Sequence, residues 1–168
     1  MISISSRQPI PKFSNSQILS LLSSNKTKNE ASMNYWLMKT EPETFSWEDM
    51  VRDKKATWDG VRNYTARNNM RDMKKGDQVF IYHSGGHKEV VGIAEVTKEF
   101  YPDPTTDDPA WVVVDLKPKN ALKNPVSLAK IKADTRLKDI ALVRLSRLSV
   151  SPLSAEAFNI ILELSQKA

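Results

Sequence analysis

The chain has 168 residues and a mass of 19.0 kDa, enough for one domain with a buried core and too little for two full catalytic domains. With no cysteine it cannot form a disulfide framework, a thiolate zinc site, a Cys nucleophile or an iron–sulfur cluster, and its two histidines, His83 and His87, exclude a His-rich metal centre. The formal net charge is +5, but Arg7, Lys12, Lys26 and Lys28 against Glu30 concentrate it near the start, and the remaining 21 basic and 19 acidic residues imply a local basic patch, not a charged coat.

Residues 1–32 hold nine serines and no acidic residue before Glu30, and the apolar cluster Ile18, Leu19, Leu21 and Leu22 is too short for a core helix. This composition predicts a disordered extension, read as a tail or as the product of a start codon upstream of Met33 in preference to an organelle transit peptide. The folded domain is placed at 33–168.

From Tyr35 the pattern becomes dense. Tyr35 to Lys39 reads as a strand ended by Glu41-Pro42, and Ser46 with Asp49 three residues later forms a capping-box start for a helix through about Lys54. After Trp58-Asp59-Gly60 the spacing of Ala66, Met70 and Met73 predicts a helix over about 65–75, with Arg67, Arg71 and Lys74 on a neighbouring stripe. Gly76-Asp77 stops that helix, and Gln78 to Ser84 and Val90 to Lys98 make a hairpin about Gly85-Gly86.

Tyr101 to Pro109 is a proline- and aspartate-rich loop, and Trp111 to Lys117 is a further strand. Residues 118–140 read as a connection with one short helix from about Ser127. Ala141 to Val150 reads as a strand that places Leu142, Arg144, Ser146 and Leu148 on one face and Val143, Leu145 and Arg147 on the other. Ser154 caps a final helix with the apolar stripe Ala157, Ile160, Ile161 and Leu164.

This order is not an alternating βαβ pattern. It predicts the α+β class, as a small curved β-barrel of five to six strands with peripheral helices. There is no repeat, glycine-rich phosphate loop or dinucleotide fingerprint. No apolar run reaches the ~18 residues that span a bilayer, and mean hydropathy is −0.46, so a soluble, membrane-free chain is expected, cytoplasmic, with nucleus or organelle open.

Trp58-Asp59-Gly60-Val61-Arg62-Asn63 sets an aromatic face, a carboxylate, a guanidinium and an amide beside a glycine turn, a set able to hold a planar heterocycle. The competing reading makes Trp58 a core residue and Asn63 a helix cap. Arg67, Arg71 and Lys74 could grip a phosphate backbone or simply face solvent. His83 and Ser84 point to opposite faces of one strand and cannot pair in a catalytic triad. A His83–His87 metal site lacks a third ligand, and an interior, hydrogen-bonded His83 is the reading favoured over both. Glu41, Glu43 and Asp59 include enough carboxylates for acid–base work, though nothing places two of them across one bond.

Tyr35-Trp36-Leu37-Met38-Lys39-Thr40-Glu41-Pro42, Trp58 to Asn68, Met73 to Asp77 and Phe80-Ile81-Tyr82-His83-Ser84 together resemble the EVE domain family, in order over about 34–166. Thr40 stands where many members have serine, and the loop before Trp111 is shorter than in eukaryotic members. The resemblance implies a PUA-like fold, related to readers of methylated RNA and of modified cytosine in DNA, with no firmly associated catalysis, cofactor or metal.

It further implies a pocket walled by Trp58, with Asn63, Lys39, Thr40 and Glu41 reading a base edge, Val61 and Arg62 beside them, and Tyr82, His83 and Ser84 lining it. Tyr101 and Trp111 are candidates for a second wall, and one of Arg144 and Arg147, which alternation puts on opposite faces, for an added contact. Arg67, Arg71 and Lys74 would hold the backbone. The expected function is non-catalytic reading of a modified nucleobase in DNA or RNA by a monomer; an enzyme acting on such a base, or a module for a metabolite or protein segment, stays open.

Overall fold

The computed structural model describes residues 33–167; the expected extension over 1–32 lies outside the described residues. Strand β1 (Tyr35–Thr40) alternates Trp36 and Met38 toward one apolar cluster and Leu37 toward another. Strand β3 (Gln78–His83) does the same with Val79 and Ile81 against Phe80 and Tyr82. Both faces of the central sheet are therefore covered, which is why these strands read as continuous apolar runs.

One face is covered by α1 (Trp47–Asp53) and α2 (Tyr64–Asp72), which bury Met50, Ala66 and Met70. Ser46 and Asp49 form the expected capping box, with N–H···O distances of 3.1 and 2.8 Å. The two-residue strand β2 (Ala56–Thr57) lies between these helices.

The opposite face packs on α3 (Leu128–Ala133), a 3-10 turn (Thr135–Leu137), α4 (Ala141–Arg144) and α5 (Ala155–Gln166), whose buried side chains include Ile131, Leu137, Leu142, Phe158 and Ile161. Phe158 of α5 stacks on Phe80 at 4.2 Å and leans on Tyr35 at 4.4 Å. Such aromatic pairs add about 0.5–1.5 kcal/mol beyond the area they bury.

Strands β4 (Glu89–Pro102), β5 (Val112–Ser127) and β6 (Val150–Leu153) complete one mixed six-stranded sheet in the order β2-β5-β4-β3-β1-β6. Only β1 and β3 run parallel, joined by the α1-β2-α2 crossover. The α+β class and the strand number agree with the sequence reading, although the sheet has two ends, β2 and β6, and does not close. Four register shifts along β4 and β5 supply the irregularity that bends such ribbons.

Three expectations are corrected. The 118–140 connection is in its first part a continuation of β5, whose Pro118 and Pro125 are tolerated because β2 covers only Leu116 and Asp115 on its other edge. The 65–75 helix starts at Tyr64 and ends at Asp72, with Met73 as its buried C-cap. The strand over 141–150 is instead the short helix α4 followed by turns closed by Leu145 N–H to Ala141 O and Leu148 N–H to Leu145 O. Both faces of that hypothetical strand carried a charged or polar residue, and of its leucines Leu142 and Leu148 are buried while Leu145 is exposed.

Gly92 on β4 gives the packing its tightest test, because a Cβ there would lie 2.6 Å from three ring atoms of Trp47. Gly92→Ala is expected to destabilise the fold by about 1–3 kcal/mol, the range for overpacking a filled core. Urea unfolding checks this, and a midpoint equal to wild type would show that the Trp47 ring yields freely.

Candidate functional site

A cavity of about 500 Å³ opens where the end of β1, the loop before α1 and the β2 segment meet. Lys39, Thr40 and Glu41 form one side, Lys55 and Thr57 another, and Phe45, Trp58 and Asp59 the rest of the principal wall. The Phe45 and Trp58 rings stand nearly perpendicular, at 86° with centroids 6.4 Å apart. Trp58 is 8% exposed and belongs to the apolar core, the half-buried Phe45 packs edge-on against it, and a rim of both charges surrounds the opening.

Each wall has an identifiable support. The Thr40 hydroxyl donates to Phe45 O at 2.7 Å, and Phe45 N–H donates back to Glu41 O at 2.9 Å, folding Phe45 onto the end of β1. Trp58 N–H donates to Val114 O at 2.8 Å, while its indole N–H has no acceptor among the described residues. Asp115, 4% exposed, receives the Thr57 hydroxyl at 3.0 Å and the Tyr101 hydroxyl at 2.7 Å, with Lys55 at 3.3 Å. Burial alone would raise its pKa, but these donors outweigh burial and lower it.

The turn after Trp58 is held by a second buried carboxylate. Asp103, 2% exposed, accepts from Arg62 Nη1 at 2.9 Å, from Gly60 N–H at 3.3 Å, and from the Thr105 N–H and hydroxyl. Burial favours the neutral acid, yet the Thr105 hydroxyl, the guanidinium and the two backbone donors together hold its pKa at about 2, below the usual 3.8. Gly60 takes φ +75° in this turn, a conformation suited to glycine.

The expected site residues fall into several places. Lys39, Thr40, Glu41 and Trp58 line the main cavity. Asn63 and Arg144 line a neighbouring concavity of about 380 Å³ with Arg147, and Asn63 Oδ1 also caps α2 by accepting Ala66 N–H at 2.9 Å. Tyr82 and Ser84 line a third, of about 320 Å³, together with Lys39.

The others serve elsewhere. Val61 is buried in the core, and Arg62 is committed to Asp103 and lies 5.5 Å over the Trp111 ring. Trp111 packs on Tyr64 at 5.0 Å and Tyr101 on Asp115, so neither lines the main cavity, where Phe45 stands in the position expected of them. His83 is 5% exposed and its Nε2 accepts Trp47 N–H at 3.0 Å, the interior role favoured above. Burial is the chief cause that lowers its pKa, keeping the imidazole neutral. Arg144 projects from a helix end, not a strand, and reaches Asp139 at 3.3 Å.

On α2, Arg67 donates to Ala110 O and Asn68 and covers the Tyr64 ring at 4.9 Å, while Arg71 lies 5.6 Å over Phe100. The expected backbone-binding stripe of Arg67, Arg71 and Lys74 is thus partly occupied by its own aromatic neighbours. Residues the sequence reading passed over are Phe45, Asp115 and Asp103. For Asp103 a signal existed, since Asp followed by Thr two positions on, between prolines, is the pattern of an Asx turn.

Among the described residues no group of three His, Asp or Glu side chains could hold a metal, and no helix is long and apolar enough to cross a membrane.

A family model described as the EVE domain matches residues 34–164. Mouse thymocyte nuclear protein 1 is 38% identical over 79% of this chain and 74% of its own length. A crystal structure of the human protein in complex with 5-methylcytosine-containing DNA superposes with a TM-score of 0.75 at 34% identity, covering 80% of this chain and 99% of that one. A protein of Agrobacterium tumefaciens superposes at 0.77 with 43% identity, covering 79% and 92%.

The Asp103 cluster has a pH signature. A carboxyl whose folded pKa lies below its unfolded value contributes stability that is full above the unfolded pKa and is lost as pH falls through the folded one. From 3.8 down to about 2, that contribution is about 2 kcal/mol at neutral pH. Asp103→Asn is expected to lose stability of this order at pH 7, with the gap to wild type narrowing between about pH 4 and pH 2 in denaturant titrations. A gap independent of pH would contradict the ion-paired assignment.

Proposed function

The chain belongs to the EVE domain family, and from that membership we propose that it is a non-catalytic reader of nucleic acid that takes one modified base, such as methylated or hydroxymethylated cytosine, into the Trp58–Phe45 cavity. The single observation that carries this reading is the cavity itself, lined by Phe45 and Trp58 with carboxylates and two lysines, Lys39 and Lys55, at the rim. The binding of 5-methylcytosine-containing DNA by the human relative supports the same ligand class.

The chemistry of the rim suits a cytosine edge. Glu41 and Asp59 offer acceptors for an exocyclic amine, and Lys39 offers a donor for the ring and carbonyl acceptors. Everting a base costs a few kcal/mol, least from a single strand, and stacking on an aromatic wall returns about 1–3 kcal/mol. One buried methyl adds only about 0.8 kcal/mol, so the polar rim selects the base and the methyl tunes the preference. His83, the histidine nearest the end of β1, is committed to Trp47 and kept neutral, an arrangement that supports binding over acid–base catalysis.

Fluorescence titration of the full chain with DNA and RNA oligonucleotides, unmodified or carrying 5-methylcytosine or 5-hydroxymethylcytosine, tests the reading. Saturable quenching with preference for a modified strand is expected. Phe45→Ala, at a half-buried position, is expected to weaken binding by about 5- to 100-fold, and Trp58→Phe less, in line with loss of one stacking wall. Recovery of the oligonucleotide with unchanged mass is expected of a reader. Equal responses to all strands, indifference to Phe45→Ala, or a mass change would each overturn it.

A further inference from the structure

Beside the aromatic cavity, and sharing Lys39 with it, lies the concavity of about 320 Å³ closed by β1, the β3–β4 turn and the start of α3. We propose that this concavity is a phosphate site in which Lys39, Lys88 and Lys132 bind the backbone phosphate adjoining the base held by Trp58 and Phe45. The inference rests on the reader function and extends it to a second group of residues.

Charge balance is the first argument. Three lysines line the concavity and no carboxylate does. Some cations elsewhere are matched, as Arg62 is by Asp103, Arg52 by Asp49 and Arg136 by Asp134 and Glu163, and others such as Lys119 and Lys123 have no ion pair among the described residues; what sets this concavity apart is three lysines gathered in one lining without a carboxylate. Among the described residues the Lys88 and Lys132 ammonium groups have no hydrogen-bond or ion-pair partner. Lys39 Nζ donates once, to Ser146 O at 2.8 Å, and an ammonium has three donors. Like charges gathered without a counter-charge repel, and an anion seated among them relieves that repulsion.

Backbone geometry is the second argument. Lys88 sits in the left-handed region at φ +49°, where a side chain costs about 1 kcal/mol and glycine costs nothing. Its carbonyl accepts Leu128 N–H at 2.8 Å, which ties the β3–β4 turn to the helix that carries Lys132. The strained residue keeps a long cationic side chain at the lip of the concavity. Tyr82, 4% exposed, adds a phenolic hydroxyl with no partner among the described residues.

Dimensions are the third. Lys39 lines both concavities, so a base in one and its own phosphate in the other lie within the reach of one side chain. The backbone path would then enter along the β3–β4 turn, beyond the α2 stripe whose arginines are stacked on Tyr64 and Phe100.

The test compares the full chain with Lys88→Ala/Lys132→Ala, both exposed positions, and with a charge-matched control, Lys119→Ala/Lys123→Ala, whose residues line neither concavity. Each is titrated with 5-methylcytosine-containing and unmodified single-stranded DNA over a salt series. Loss of the one phosphate held there is expected to reduce the magnitude of the slope of log K against log salt by up to about 0.7 on a single strand, with the control nearly unchanged. The ratio between modified and unmodified strands is expected to persist in the variant. A slope equal to that of the control overturns the phosphate site and leaves the reader intact. A ratio of one in the wild type overturns the reader, whatever the slopes show. Absence of any binding overturns both.

Discussion

The structure around the cavity depends on a carboxylate that must stay charged out of water. Asp103 is almost wholly enclosed, and an ionised group so placed is costly by several kcal/mol unless hydrogen bonds replace its hydration. The replacements come from Gly60 and Arg62 on one segment and Thr105 on its own. Two loops some forty residues apart are therefore locked together. The lock fixes the turn after Trp58, and through it the direction in which α2 departs from Asn63. Apolar burial would tolerate a shift of this turn. Four directed donors on one carboxylate do not.

The same logic recurs at the other anchors. Asp77, 1% exposed, accepts Trp36 Nε1–H at 2.9 Å, Lys74 N–H at 2.9 Å and Asn34 N–H at 3.1 Å, joining the end of α2 to the start of β1. Asp115 gathers Thr57, Tyr101 and Lys55 along β2 and β5. Three buried aspartates thus hold the segments that frame the cavity, while the two apolar clusters hold the sheet. Rigidity of this kind would keep the ordering cost of the proposed base capture low, since Phe45 and Trp58 are already held in place.

What the sequence made legible follows from how local each signal was. The capping box at Ser46, the cap at Ser154 and the continuous apolar runs of β1 and β3 are set by neighbouring residues, and they read correctly. The extent of β4 and β5 was not legible, because Pro118, Pro125 and the lysines between them look like a connection unless the partner strand is known. The segment after Ala141 failed for a related reason: burying Leu142 and Leu148 while exposing Leu145 suits an alternating strand as well as a short helix with turns, and contacts with α3 and β6 decide between them. Of the residues that line the cavity, Trp58 stood out through the unusual stretch it begins, and Lys39, Thr40 and Glu41 through the family resemblance. Phe45 was missed because its role depends on a turn that folds it back across β1. Tyr101 and Trp111 were assigned by residue type, and their true partners, Asp115 and Tyr64, are distant or unremarkable in sequence.

Lys39 links the two concavities through one desolvated charge. Burial lowers its pKa, so the empty protein stabilises its ammonium less well than water does, and any acceptor that reaches it recovers part of that loss. In the binding modes proposed above, a carbonyl edge from the aromatic side would do so, and so would a phosphate oxygen on the side of Ser146 and Tyr82, where the ammonium lies. The ammonium retains two donors beyond the one given to Ser146, which is enough to meet both at once. Base and backbone would then stabilise the same cation. Their contributions would not be independent, so removing Lys39 would cost more than either contact considered alone.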